Sequence, residues 1–380
     1  MRILVTGSTG YIGSRLVTEL LAEGHQVLAA SRDPARLGRL GWCDDVTAVA
    51  LDASDPASTR AAFAVAGPVD LVYYLVHGIG QPGYRDADNA AAANVAAAAQ
   101  ATDVPRIVYL GGFVPEGDGT LSEHLTSRAE VAAALDIDGG PEVVWLGAAM
   151  ILGAGSTSFE MLRYVGDRFL LAPLPAWMDN PIDPISIRDV LYYLVAAGNN
   201  DAVPAGAYDI CGPDTTTYRG LLTAYAQVSG RWRARFPVPG IGTGLAAWVS
   251  TVALPAPGEL AGELVMSLDH PMLASDRRLR DLIPDPTDGL ISSDDAITRA
   301  LASQPPRPVN VLTDPHHLAD SDPGWTGGDA LRIRRLAKLV VPPLAWPALG
   351  LVDAVPGPVV GLIRTGLDTL INLTPRGRSA

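Results

Sequence analysis

Gly7, Gly10 and Gly13 constrain this chain more than any other feature. They stand at the spacing G-x-x-G-x-x-G between a strand-like run, Ile3–Thr6, and a helical stretch, Tyr11–Glu23. In Val5-Thr6-Gly7-Ser8-Thr9-Gly10-Tyr11-Ile12-Gly13 each glycine has its own task. Gly7 permits the tight turn, Gly10 lets backbone approach a pyrophosphate, and Gly13 lets the helix lie near the sheet. Unpaired N–H groups and the helix dipole then favour the diphosphate. The loop predicts a dinucleotide site built from Gly7, Ser8, Thr9, Gly10, Tyr11, Ile12 and Gly13.

The chain downstream of the loop fits that start. Strand candidates at Gln26–Ala30, Val46–Leu51, Leu71–Leu75, Arg106–Leu110 and Glu142–Leu146 alternate with helix candidates at Ser58–Ala64, Asp86–Ala101 and His124–Leu135. Such alternation implies right-handed crossovers and a parallel sheet. Leu71-Val72-Tyr73-Tyr74-Leu75 is apolar throughout, as a strand covered on both faces must be. The fold class expected is α/β: a Rossmann-type doubly wound parallel sheet with a smaller C-terminal substrate lobe and an apolar C-terminal tail. The boundaries drawn are residues 1–152 for the NAD(P)-binding domain and 153–302 for the lobe. Residues 303–330, rich in Pro, Asp and Gly, form a linker, and residues 331–380 form the apolar Pro-rich segment. In the lobe, helices are expected at Ile187–Ala197 and Tyr218–Val228, and a strand at Ala207–Cys211.

Composition excludes several classes. A net charge of −13 leaves no large basic face for nucleic acid. Cys43 and Cys211 cannot build a disulfide framework and lack metal-ligand spacing, so no metal is expected and a reducing cytoplasm fits. Of the 28 basic residues only Lys338 is a lysine.

The end of the second strand selects the cofactor. NAD enzymes place Asp or Glu there for the ribose 2′-hydroxyl. Here Ser31 and Arg32 can hydrogen-bond and charge-pair a 2′-phosphate, so NADPH is expected ahead of NADH. Asp33, followed by Pro34, reads as a helix N-cap with proline at the first helical position. Ligands bind at the carboxyl ends of such strands. Asp52 and Ala53 therefore belong near the adenine, Leu75, Val76 and His77 near the ribose and diphosphate, and Gly111 and Gly112 by the nicotinamide. His77 is open to a catalytic or a purely structural role.

The glycine loop, Tyr73-Tyr74-Leu75-Val76-His77, Ile107-Val108-Tyr109-Leu110-Gly111-Gly112, His124-Leu125-Thr126-Ser127-Arg128, Gly153–Met161, Pro184–Val190 and Cys211-Gly212-Pro213-Asp214 together resemble the atypical short-chain dehydrogenase/reductases. The branch is that of the NmrA-like/YbjT-like NAD(P)H-binding proteins, and the resemblance spans about residues 1–300. It implies a serine after the fifth strand and Y-x-x-x-K on the next helix, where tyrosine is the general acid and lysine lowers its pKa. In this chain glycine holds the serine position, and His124 and Arg128 stand where tyrosine and lysine are expected. His124 can donate a proton near neutral pH, and Arg128, one turn on, can hold a ribose. The alternative is that the acid–base site is degenerate.

Two functions are consistent with these residues. One is an NADPH-dependent oxidoreductase with a His/Arg site and a small hydrophobic acceptor, such as a quinone or lipid-like ketone. Trp177, Phe159 and Met161 are candidates to line its pocket. The other is a cofactor-binding sensor or accessory subunit, which the resemblance also implies. Leu339–Ile363 carries one charge, Asp353, and is flanked by Arg332, Arg334, Arg335, Lys338 and Arg364. Its prolines argue against a simple span. Residues 331–380 are expected to lie on a membrane surface, placing a cytoplasmic protein there peripherally, or on a protein partner, or to pack on their own domain. The oligomeric state is not readable from the sequence.

Overall fold

The computed structural model describes residues 1–113, 123–168, 171–199, 203–230, 234–237, 240, 242–302 and 305–340. Seven strands form one parallel sheet: β1 (Arg2–Val5), β2 (Gln26–Ser31), β3 (Thr47–Ala50), β4 (Leu71–Tyr74), β5 (Arg106–Gly112), β6 (Glu142–Ala148) and β7 (Gly206–Ile210). Their spatial order is β7-β6-β5-β4-β1-β2-β3. The order reverses between β1 and β4, where a crevice opens at the carboxyl ends of the strands. The Rossmann-type α/β expectation is correct.

The sheet is covered on both faces because the inner positions of its central strands are apolar and buried. Ile3 and Val5 point to one side, Leu4 to the other, as period-two alternation requires. On the first face, α1 (Tyr11–Ala22) contributes Leu16, Val17 and Leu20, and a later helix, α6 (Ile187–Asn199), contributes Ile187, Val190 and Leu194. The second face buries Phe63 of α2 (Pro56–Ala66), Val95 of α3 (Tyr84–Ala101) and Val131 of α4 (Glu123–Leu135). Helix starts are capped as their sequences dictate. Asp55 accepts from Ala57 N at 2.8 Å ahead of Pro56. Asp33 accepts from Ala35 N at 3.1 Å ahead of Pro34, as expected.

A third core fills the lobe. It joins α5 (Thr157–Arg168) to α7 (Tyr218–Val228) through Phe159, Leu221, Leu222 and Tyr225. Two further helices, α8 (Thr243–Ala253) and α9 (Gly258–Met266), pack on each other above it. Asp189 orders this region by local bonds: its carboxylate pairs with Arg188 at 2.5 Å and accepts from Ile291 N at 2.8 Å.

Two boundaries need correction. The lobe does not begin cleanly after residue 152, because the chain returns to supply β7, paired with β6 from Gly206↔Val144 to Ile210↔Ala148. Nor do residues 305–330 form a linker. Arg15 of α1, 1% exposed, holds Asp322 in two bonds of 3.0 and 2.8 Å and also donates to the carbonyls of Pro315 and His317. On α5, Arg168 pairs with Asp329 at 2.6 Å, while the Glu160 carboxylate accepts from Gly327 N at 2.9 Å. The composition resembles a linker, but Asp322 and Asp329 are buried and paired. Of the segment 331–380, only residues to Val340 are described, ending the helix Gly328–Val340; the apolar part beyond lies outside the described residues. Among the described residues no helix is long and apolar enough to cross a membrane.

Removing one partner of a buried ion pair strands the other charge, at a cost of about 3–5 kcal/mol. Asp322→Ala is expected to lower unfolding stability by that order, read from denaturant midpoints. The double variant Arg15→Met/Asp322→Leu should recover most of the loss.

Candidate functional site

The glycine loop has the geometry a phosphate cradle needs. Gly7 sits at φ +69°, and a Cβ there would stand 2.7 Å from the Leu75 carbonyl oxygen. A Cβ on Gly13 would stand 2.3 Å from the Gly7 carbonyl oxygen, so only glycine lets α1 come this close to the turn. Gly10 caps α1 with no side-chain bond, which leaves the helix N-terminal N–H groups open to a ligand. The side chains around the glycines hold the loop. Ser8, fully buried, donates to Ala30 O at 2.8 Å, and Thr6 donates to Tyr73 O at 3.0 Å. Ser8 thus reaches a ligand only through backbone. Thr9 and Ile12 are half-buried.

Tyr11 turns its ring toward Arg15 and the Gly153 loop. Arg15 stacks on its ring at 4.1 Å, and its buried hydroxyl lacks a hydrogen-bond partner. A Cβ on Gly153 would stand 2.3 Å from that hydroxyl, so the Gly153–Ser156 loop packs directly behind the cradle.

The strand ends bring the other expected residues to one crevice. At the end of β2, Ser31 donates to Asp33 O at 3.0 Å, and Arg32 is exposed, with no ion pair among the described residues. Past β3, Asp52 accepts from Ser54, and Ala53 O accepts from Asn94 at 2.9 Å. Leu75 and Val76 are half-buried after β4. His77 stands exposed at the cleft mouth, yet the protein wall beside it and the Arg128 charge push its pKa down to about 3. Water reaching the ring tempers the effect of the wall, but both influences favour neutral imidazole at neutral pH, which leaves His77 a hydrogen-bonding group and not a cation.

Arg128 projects from α4 over the end of β5. A Cβ on Gly112 would lie 3.7 Å from its Cγ, and Tyr109 donates to its backbone carbonyl at 3.3 Å. Its charge acts on Asp88, Tyr74 and Tyr109, and burial pushes the Asp88 carboxyl up. Arg128 thus stands at the carboxyl end of β5. His124 lies in the first turn of α4; its side chain is outside the described residues.

The two glycines at the end of β5 differ. A Cβ on Gly111 would stand 2.6 Å from Trp145 Nε1 and 3.0 Å from the Tyr109 ring, whereas Gly112 has ordinary room. The serine that the resemblance implies is therefore excluded by packing at 111 alone.

Beyond Gly112 the crevice opens into a cavity of about 330 Å³. Ala148, Ala149 and Met150 at the end of β6 form one wall, Met161 and Trp177 another, and α8 and α9 the roof through Leu245, Val249 and Leu264. Among the described residues no charged side chain lines it. Trp177 and Met161 are where the sequence suggested; Phe159 is instead buried in the lobe core, beneath Arg163 at 5.2 Å. The roof is continuous with the loop after β4. A Cβ on Gly80 would lie 2.9 Å from Leu260, and Tyr84 donates to Glu263 at 3.3 Å. These roof helices are not among those expected from the sequence, although Leu260, Ala261, Leu264 and Val265 of α9 recur at helical spacing. Among the described residues no cluster of metal-binding side chains occurs, and both cysteines are free.

Residues 7–123 match the model of a family described as NAD(P)H-binding, so the resemblance drawn from the glycine loop and strand ends holds over that segment. Divinyl chlorophyllide a 8-vinyl-reductase of Zea mays is 45% identical over 74 residues, 18% of each chain. The human epimerase family protein SDR39U1 is 41% identical over 69 residues, 18% of this chain and 23% of that one. The match spans less than a quarter of either relative. Among solved structures, a nucleoside-diphosphate-sugar epimerase from Staphylococcus aureus is 16% identical with a TM-score of 0.61, covering 78% of this chain and all of that one. The Thermus thermophilus UDP-glucose 4-epimerase, in complex with NAD, is 22% identical with a TM-score of 0.51, covering 63% of this chain and 86% of that one. These likenesses establish the shared fold.

The packing difference at the end of β5 is directly testable. Gly111→Ala is expected to cost on the order of 1–3 kcal/mol of stability, as overpacking does. Gly112→Ala should be neutral or stabilising by about 0.5 kcal/mol. Equal midpoints for the two variants would contradict the geometry.

Proposed function

From a chain whose residues 7–123 match the NAD(P)H-binding family, we propose an NADPH-dependent oxidoreductase acting on a small hydrophobic acceptor, a quinone or lipid-like ketone. One observation carries the substrate class: the cavity that continues from Gly112 has no charged lining among the described residues. A sugar nucleotide brought there would lose hydration with nothing to replace it. A reductase among the proteins that share the amino-terminal segment supports the same reaction class.

The dinucleotide supplies the hydride when bound. Gly7, Gly10 and Gly13 and the open end of α1 would hold its diphosphate. Arg32, free at the end of β2, would meet the 2′-phosphate, since Asp33 is engaged as a cap and cannot take a ribose hydroxyl. Arg128 would hold the nicotinamide ribose while remaining charged. His124, at the start of the same helix, is assigned the proton that a carbonyl acceptor needs. The apolar walls keep water from the reacting atoms.

A charge-assisted contact contributes about 1.5–3 kcal/mol, and each 1.4 kcal/mol is tenfold. Arg32→Ala is therefore expected to weaken NADPH binding roughly ten- to hundredfold and leave NADH binding unchanged. Equal losses for both would show that Arg32 does not read the 2′-phosphate.

A second reading, a cofactor binder that turns nothing over, is favoured by glycine, histidine and arginine at the expected serine, tyrosine and lysine positions. The two readings separate on turnover. The oxidoreductase is expected to oxidise NADPH in the presence of a short-chain quinone or a long-chain ketone, with ketone reduction falling at least tenfold in His124→Ala. Tight NADPH binding with no oxidation by either acceptor would establish the second reading.

A further inference from the structure

Among the groups lining the apolar cavity, the buried Tyr218 has a hydroxyl with no assigned role. It is the first residue of α7 and is 9% exposed. Its placement is fixed without that hydroxyl, because Thr217 caps the helix by accepting from Gly220 N at 3.0 Å. The hydroxyl makes no hydrogen bond with any described residue, and burial alone raises its pKa, so it stays a protonated donor.

Several buried tyrosines off the wall are paired, and the other unpartnered donor of a wall residue, Trp177 Nε1, is sealed from solvent. Tyr73 donates to the Leu194 carbonyl at 3.0 Å, Tyr225 donates to Asp167 at 2.7 Å, and Tyr164 donates to the Trp325 carbonyl. Tyr11 and Tyr74 also lack partners, but neither lines the cavity. The remaining hydroxyls on the wall are served. Ser267 donates to the Glu263 carbonyl at 3.2 Å, and Ser158 and Ser250 are half-exposed to water. Unlike the sealed oxygens of Tyr11 and Tyr74, the Tyr218 oxygen reaches the cavity space, where an acceptor atom on a ligand can take up its O–H.

Resting on the oxidoreductase reading with an apolar substrate, we propose that Tyr218 Oη donates a hydrogen bond to the carbonyl oxygen of that substrate. Tyr218 is thereby the residue by which the cavity selects ketones and quinones over hydrocarbons of the same shape. The hydrocarbon wall binds the body of the molecule without orientation, and one donor fixes its oxygen. Selectivity of this kind arises because the analogue without oxygen leaves the tyrosine unpaired.

The test uses the full chain without cofactor and two isosteres, 2-nonanone and 2-methyl-1-nonene, in which a methylene replaces the carbonyl oxygen. Both are titrated calorimetrically into the wild type and Tyr218→Phe. The expected result is a ketone-to-alkene affinity ratio about three- to tenfold lower in the variant, the net worth of one hydrogen bond. Alkene affinity should be unchanged, which also shows that the variant is folded. A ratio that does not move, with both probes bound, overturns the role of Tyr218 and leaves the apolar-substrate reading standing. Binding of neither probe to the wild type overturns the apolar-substrate reading itself and this proposal with it.

Discussion

The approach of Gly13 to the Gly7 carbonyl is the contact on which the remaining geometry depends. It brings the N-terminus of α1 against the turn after β1, and any side chain at either position would push the helix away. With the helix this close, the open N–H groups beyond Gly10 face the crevice where the strand order reverses. The same closeness turns Tyr11 and Arg15 to the opposite side of α1. One helix therefore presents backbone to the cofactor and side chains to the rest of the protein.

Arg15 uses that second face to bind parts of the chain distant in sequence. Its guanidinium receives Asp322, the carbonyls of Pro315 and His317, and, more loosely, Ala154 at 3.4 Å. The five donors of a guanidinium in a fixed fork suit such a junction, and a lysine could not replace it. Glu160 and Arg168 on α5 repeat the pattern with Gly327 N and Asp329. The segment 314–332 is thus bolted to both the dinucleotide domain and the lobe by groups that are costly to separate. This fixes the lobe over the carboxyl ends of β5 and β6, which is where the cavity forms.

How much of this was legible in the sequence depends on the range of the interactions involved. The glycine loop, the six alternating strands and the helices between them announce themselves locally, by period and by turn chemistry. The Asp33-Pro34 cap is equally local, and it appears as expected. Long-range contacts are different. Nothing in Pro-Asp-Gly-rich composition distinguishes a solvated linker from a segment with an aspartate neutralised from far away in the chain, as Asp322 is by Arg15, 307 positions earlier. The return of the chain to form β7 was visible as a strand, but its pairing with β6 was not. At the site, the cofactor side was legible because backbone geometry demands glycine. The substrate side was not, because apolar residues carry the same pattern whether they fill a core or line a void.

The contrast between the two halves of the crevice bears on chemistry. The cofactor half is built mostly from backbone, with Arg32 and Arg128 as cations in no salt bridge among the described residues, though the Arg128 charge acts on Asp88. The substrate half begins at Gly112 and turns apolar within one residue of the sheet's edge. In the proposed reaction, hydride delivery moves two electrons and one proton, and so one unit of negative charge, onto the acceptor. The apolar wall offers that charge no counter-ion among the described residues. In the proposed reaction the proton a ketone needs is assigned to the rim, to the first turn of α4, where His124 stands. That is why the loss of the usual tyrosine and lysine constrains the choice of acceptor more than it constrains cofactor binding. An acceptor whose reduced form is itself a stable anion asks least of this rim, whereas an isolated ketone depends on it.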